Sequence, residues 1–469
     1  MVTTPTFLRL QCGVQPYPWG AKAAPGRVPF IADLLAVPAP VDGKPFAELW
    51  IGAHPNLPAT LPDGSKLTDF IRANPAEVLG NAAAAQGIGE LPFLLKVLSC
   101  DQALSIQAHP DKDLAKRLHA QDPQHYPDPN PKPEIAIAVT PFDALAQFRP
   151  AADIRADAAR LNTLGAFFVS AGLAPVEQRL GAVGGVSRTS INQLSTGTSP
   201  VVGENANESW ANHDPTAKFA IRNSAFENSA TWLRAAYAAL FHAPQEAVTA
   251  TVRALANEVR ALSVRTAHDN WYLRVLEIYP DDRGALSLYF LNVVHLEPGE
   301  CIYLGANEPH AYLKGTIIEC MANSDNVVRA GLTPKFVDTD VLLNMLTYSQ
   351  AGVQRLQPKA SDKSDASDRS DASDTRVSLR AFVPPTPEFQ VEQFSGDAGA
   401  AAELASDDTI SLLLVLHGAA RLRTPQGETF AAPRGSTWLW PACLASATIE
   451  FTEPGTELVR ARPNQTTRK

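Results

Sequence analysis

Three short runs of strand-forming residues carry polar side chains where a buried strand would carry apolar ones. They are Leu104-Ser-Ile-Gln-Ala-His-Pro-Asp-Lys112, Pro131-Lys-Pro-Glu134 and Glu308-Pro-His-Ala-Tyr312, the last followed by Glu319. Side chains two apart in a strand point to the same face, so Ser105, Gln107 and His109 share one face, and Lys132 shares another with Glu134. Burying amide, imidazole and carboxylate groups together is costly unless something pairs with them. A divalent cation held by Gln107, His109, Glu134 and His310 meets that need. Either histidine alone would read as an ordinary hydrogen-bonded residue; the constellation does not. Two imidazoles with oxygen donors, and no cysteine nearby in sequence, suit a catalytic zinc better than a structural one, which prefers cysteine-rich sets.

The rest of the composition narrows the ligand. The formal charge of -9 and the pI near 5.6 argue against a nucleic-acid partner. Yet Lys96, Lys112, Lys132, Arg329 and Lys335 all lie in or near the polar runs. Basic residues gathered in an acidic protein suggest a small anion, phosphate foremost. The five cysteines are few, widely spaced and free of Cys-x-x-Cys pairs. That pattern, with no visible signal peptide and no apolar run of membrane-spanning length, predicts a cytosolic protein without membrane contact.

At 469 residues more than one core is expected. Residues 1–150 alternate apolar runs with Pro and Gly and read as strands, with short helices at Leu67–Arg72 and 111–120. Residues 151–270 are Ala-rich with helical period, notably Ala151–Leu161, Ser229–Leu240 and Pro244–Leu262, and contain a polar stretch at Gly181–Asn212 read as a long loop. Strands return over Ala285–Leu296, then Cys301–Leu304, Pro309–Tyr312, a turn, and Ile317–Cys320. Residues 271–355 therefore read as the second half of a β unit that the helices interrupt. Residues 356–376 hold the Ser/Asp tract, read as a flexible linker. Residues 377–469 form a further barrel of short strands. The fold class expected is mainly β with an α insertion: two jelly-roll barrels and a helical domain.

These motifs also resemble a known family. Leu104–Lys112, the run Tyr303-Leu-Gly-Ala-Asn-Glu-Pro-His-Ala-Tyr-Leu313 and the 18-residue stretch Ile318–Lys335 are similar to the signatures of type I phosphomannose isomerases. Pro131–Glu134, Phe46–Pro55 and Gln15-Pro-Tyr-Pro-Trp-Gly20 add support. The resemblance implies cupin-like barrels and one zinc per chain, again with Gln107, His109, Glu134 and His310 as ligands. It implies interconversion of mannose 6-phosphate and fructose 6-phosphate through an enediolate, feeding GDP-mannose synthesis, by a monomer whose partner is a phosphosugar. It places Trp19, Glu48, Lys96, Ser105, Lys132, Tyr312, Glu319, Arg329 and Lys335 around the substrate. Arg329 is expected to stabilise the enediolate or clamp the phosphate, and Lys96, Ser105 and Lys132 to hold the phosphate. Glu319, Asp325 and Lys335 are candidates for the base, with Asp325 also counted among substrate contacts; His54 reads as structural. Pro16, Pro18 and Lys314-Gly-Thr316 depart from the usual pattern at the pocket rim. Two other classes share some of these features: a different metal-cupin enzyme such as an iron oxygenase, and a non-enzymatic sugar-binding cupin.

Overall fold

The computed structural model describes residues 5–38, 43–173, 229–362 and 377–464. The loop expected at Gly181–Asn212 and most of the Ser/Asp tract lie outside the described residues. Before the helical block run β1 (Leu8–Leu10), β2 (Gly13–Gln15), β3 (Glu48–Ile51), β4 (Phe93–Cys100), β5 (Ile106–Ala108), β6 (Glu134–Ala138) and β7 (Phe142–Phe148). After it come β8 (Leu291–Leu296), β9 (Cys301–Leu304), β10 (His310–Ala322) and β11 (Val328–Gly331). Ten of these strands, β2 to β11, form one antiparallel assembly with β10 as its spine.

The first half of β10 pairs with β5 and β7, the second half with β4 and β6. Between them the register slips at Tyr312/Lys314, and Gly315 takes a φ of 117°. A Cβ at Gly315 would lie 2.5 Å from the Pro141 carbonyl oxygen, so both the conformation and the space require glycine. The bulge adds one residue and reverses which residues face inward. Before it, Tyr312 faces the inner apolar cluster while Ala311 and Leu313 pack on the helices. After it, Ile317 faces inward while Ile318 and Cys320 join a different core.

Both outer faces are covered. Helices Ala151–Arg160, Asn162–Ser170, Ser229–His242, Gln245–Ala261 and Ala267–Leu276 share a core with Ile106, Leu145 and Val328. On the other side Leu95, Val97, Ile135 and Ile318 meet Phe382, Val391, Leu412 and Val459 of the C-terminal unit. That unit comprises β12 (Lys359–Asp362), β13 (Ser378–Phe382), β14 (Gln390–Gly396), β15 (Ala401–Ala405), β16 (Ser411–His417), β17 (Ala419–Arg423), β18 (Thr429–Pro433), β19 (Thr437–Trp440), β20 (Ser446–Phe451) and β21 (Thr456–Arg462). It is a sandwich: the sheet β1-β19-β16-β21-β14-β13-β12 packs on the sheet β15-β20-β17-β18. Leu413, Val415, Trp438 and Leu458 of the first sheet share a core with Leu404, Leu422 and Ile449 of the second.

Several expectations need correction. Ala285–Leu296 is not one strand: Gly284–Ser287 is a helical turn and the strand starts at Leu291. Leu286, Leu288, Tyr289 and Phe290 are all buried, and an apolar run buried on every side carries no period to separate helix from strand. The expected turn between Tyr312 and Ile317 is the bulge within the single strand β10. Helices continue past 270, to Leu276 and again at Gly284–Ser287. Residues 359–362, assigned to the linker, pair with β13. The first strand, assigned to the N-terminal β unit, instead pairs with β19, Leu8 opposite Leu439.

Candidate metal centre and substrate pocket

The inner face of the ten-stranded assembly turns polar at one end. His109, Glu134 and His310 are each at most 1% exposed, and one ligand atom from each lies within 4.8 Å of the others. His109 Nε2 is 3.4 Å from Glu134 Oε1, and His310 Nε2 is 3.4 Å from Glu134 Oε2. Both Nε2 atoms and Glu134 Oε2 are buried without a hydrogen-bond partner. Each such atom costs roughly 1–3 kcal/mol, a total comparable with the stability of a whole domain. The opposite ring nitrogens explain how the three are aimed. His109 Nδ1 donates to the Asn326 carbonyl at 2.7 Å, and His310 Nδ1 to the Glu308 carbonyl at 3.1 Å. With Nδ1 protonated, each Nε2 presents a lone pair. Burial and the nearby Lys132 push the His109 imidazole down to about 4, so it is neutral at pH 7. Burial would raise the Glu134 carboxyl, but Lys132 and His109 hold it well below its usual range. Two imidazole Nε2 atoms and a carboxylate oxygen, all buried and unpaired, fit a zinc ion.

Gln107 enters through strand register. It lies directly opposite His310 of β10 on one side and Arg329 of β11 on the other, so the three stand in one row across neighbouring strands. Ser105 precedes it by two residues, half-buried.

A second row lies across β3, β4 and β10, where Trp50, Lys96 and Glu319 are direct neighbours. Lys96 Nζ is 3.0 Å from Glu319 Oε2 and 3.7 Å from Glu48 Oε2, while the Trp50 indole donates to Glu48 Oε2 at 2.6 Å. Burial favours the neutral amine, but Glu319 and Glu48 more than reverse this and keep Lys96 charged. Burial first, then Glu134 and Glu48, raise the Glu319 carboxyl despite Lys96. Lys132 Nζ sits 3.0 Å from Glu134 Oε1. The Tyr312 hydroxyl is buried without a partner.

Arg329 differs from both lysines. It is half-buried, burial pulls its pKa down, and it makes no ion pair among the described residues. The salt bridge to Asp325 that its spacing allows does not form. Asp325 instead faces His54 Nε2 at 3.3 Å and accepts from Asn56 Nδ2 at 2.9 Å. Burial raises the Asp325 carboxyl, yet His54 holds it below its ordinary value, which makes it a weak base. Trp19 occupies the Tyr17–Gly20 turn, half-buried and stacked on Tyr17 at 5.5 Å. Lys335 is not brought into this set: it is exposed on the loop after β11, its backbone N–H bonded to Thr333.

Sequence reasoning passed over Trp50, Tyr17 and Asn326. Trp50 was within reach, being two residues from Glu48 and so on its face. Asn326 was not, because it acts through its backbone carbonyl.

Comparison with known proteins is consistent with this site. The family described as "Phosphomannose isomerase type I, catalytic domain" matches residues 7–151. The mannose-6-phosphate isomerase of Homo sapiens is 34% identical over 471 residues, covering 97% of each chain. That of Emericella nidulans is 40% identical over 367 residues, 75% of this chain and 73% of the relative. Among solved structures, mannose 6-phosphate isomerase from Salmonella typhimurium bound to substrate and zinc aligns with a TM-score of 0.72 at 28% identity. That alignment covers 98% of this chain and 99% of the other.

Proposed function

The chain belongs to the mannose-6-phosphate isomerases, and from that membership we propose that it interconverts mannose 6-phosphate and fructose 6-phosphate at a single zinc site. The observation that carries the reading is the set of three buried, unpaired donor atoms on His109, Glu134 and His310. Gln107, beside His310 in register, is the fourth ligand in this reading. When bound, zinc supplies Lewis-acid polarisation of a carbonyl and its neighbouring hydroxyl, worth several kcal/mol.

The chain's own residues supply the rest. Moving a proton between C1 and C2 of the open-chain sugar needs a base close to neutral range and a site that tolerates the enediolate charge. Glu319 is the base in this reading, since burial raises its carboxyl. Lys96 beside it is a fixed cation that moderates that rise. Lys96 and Lys132 are already paired with carboxylates, so among the described residues of the pocket Arg329 is the cation left to meet an anionic substrate group. Glu48, Glu134 and Glu319 offset Lys96, Lys132 and Arg329, so a bound dication would leave the site net positive toward a phosphate dianion. Ser105, Trp19, Tyr312 and Glu48 line the remaining surface in this reading, and Asp325 positions His54 and Asn56.

The same reading extends to the two β units as cupin-like barrels, to a monomer and to a cytoplasmic role ahead of GDP-mannose synthesis. All site residues come from one chain, and all five cysteines are free thiols. Chelator-treated protein should lose conversion of mannose 6-phosphate and regain it on adding one equivalent of zinc. Arg329→Ala should cost ~10²–10³-fold in kcat. Full activity in the stripped protein, or in that variant, would overturn the assignment.

A further inference from the structure

The carbonyl that aims His109 is itself held by one side chain. Asn326 lies in the link between β10 and β11, fully buried. Its side-chain amide donates to the Asp128 carbonyl at 2.6 Å, to the Asn130 carbonyl at 2.9 Å and to Asp128 Oδ1 at 3.2 Å. The Asp128 carboxylate gathers the neighbouring donors. Oδ1 also accepts from Ser324 Oγ at 2.8 Å and the Asn130 N–H at 3.0 Å, and Oδ2 accepts from the Asp325 N–H at 2.8 Å. One carboxylate thus ties residues 324, 325 and 326 to the segment that leads into β6.

That segment is built to transmit position. It reads Pro127-Asp-Pro-Asn-Pro-Lys-Pro-Glu134, with proline at every second residue. Each proline fixes its own φ and restricts the residue before it to extended conformations. After a bend at Asp128–Pro129, three prolines in five residues stiffen the backbone that leads to Glu134. Asp128 joins the piece carrying Glu134 to the piece whose carbonyl orients His109.

We propose that Asp128 is a positioning residue for metal binding: by fixing the Asn326 carbonyl it sets His109 with Nε2 free, and through the proline run it sets His109 against Glu134. The inference rests on the zinc reading of the site. Partners of metal-bound histidines typically affect metal affinity about 10–100-fold, and Asp128 acts at one remove through Asn326.

The test is zinc affinity of the metal-free full chain, measured by competition with a colorimetric chelator, beside its melting temperature. Asp128→Ala should bind zinc at least ~10-fold more weakly. Asp128→Asn keeps one oxygen for Asn130, Ser324 and Asn326 but turns an amide toward the Asp325 N–H, so its loss should be smaller. Asp122→Ala removes a carboxylate of the same loop that binds only within it, to His125 and its neighbours, and should leave affinity unchanged. A merely structural role would lower the melting temperature while leaving the affinity of the folded fraction intact, and would overturn the proposal. Should Asp128→Ala fail to fold, Asp128→Asn decides: wild-type affinity there refutes the role. Wild-type protein that takes up no zinc would instead refute the zinc reading itself, a distinguishable outcome.

Discussion

At the scale of single residues, Lys96 and Lys132 tolerate burial because carboxylates face them. Lys96 is 6% exposed and Glu319 3%, with Glu48 close by. Replacing Lys96 by Met would leave two buried carboxylates without their cation. Breaking such a pair costs about 3–5 kcal/mol, so the variant should melt several degrees lower; an unchanged melting temperature would show that the ammonium is dispensable. Alternation in the sequence puts Gln107 and His109 on one strand face and marks Glu134 and His310 as polar positions in apolar runs; folding brings His109, Glu134 and His310 together. Lys335 could not be placed this way, because strand alternation gives no face to a residue in the loop after β11.

At the scale of elements, the helices were legible where one face was polar. Lys112–Gln121 shows this, with the Asp111 side chain accepting from Asp113 N and Leu114 N at its start. The bulge in β10 was not legible, since an extra residue in a strand has no composition of its own. The helical block carries its own ion pair, between a buried carboxylate and a partly exposed guanidinium. Arg160 on Ala151–Arg160 reaches Asp269 on Ala267–Leu276, and the Tyr289 hydroxyl adds a bond to the same carboxylate. Burial would raise the Asp269 carboxyl, but Arg160, the Thr266 N–H and Tyr289 hold it below its ordinary value. A depressed carboxyl contributes stability above its unfolded pKa of ~3.9 and loses it as pH falls through the folded value. Asp269→Asn should therefore cost about 1.5–3 kcal/mol at pH 7. Its melting temperature should converge on that of the wild type below about pH 4. A gap that stayed constant with pH would assign the loss to something other than charge.

At the scale of the whole molecule, the catalytic β unit is enclosed between the helical block and the C-terminal sandwich. Leu412, Val391 and Val459 of the sandwich share one core with Leu95, Val97 and Ile318 of the catalytic unit. Units that share a core should unfold together, so calorimetry should record one transition; two resolved transitions would show that the sandwich stands alone. The sequence marked three textures along the chain and so separated the units, but it could not show which faces they share. The pairing of β1 is the clearest case, because Leu8–Leu10 carries no label for a mate at Thr437–Leu439, near the other end of the chain. That pairing has a consequence for biosynthesis. Ribosomes add about 5–20 residues per second, so Leu8–Leu10 waits roughly twenty seconds or longer for its mate at that pace. Throughout that interval its edge hydrogen-bonding groups lack this partner strand, and a nascent-chain chaperone would find there a client segment.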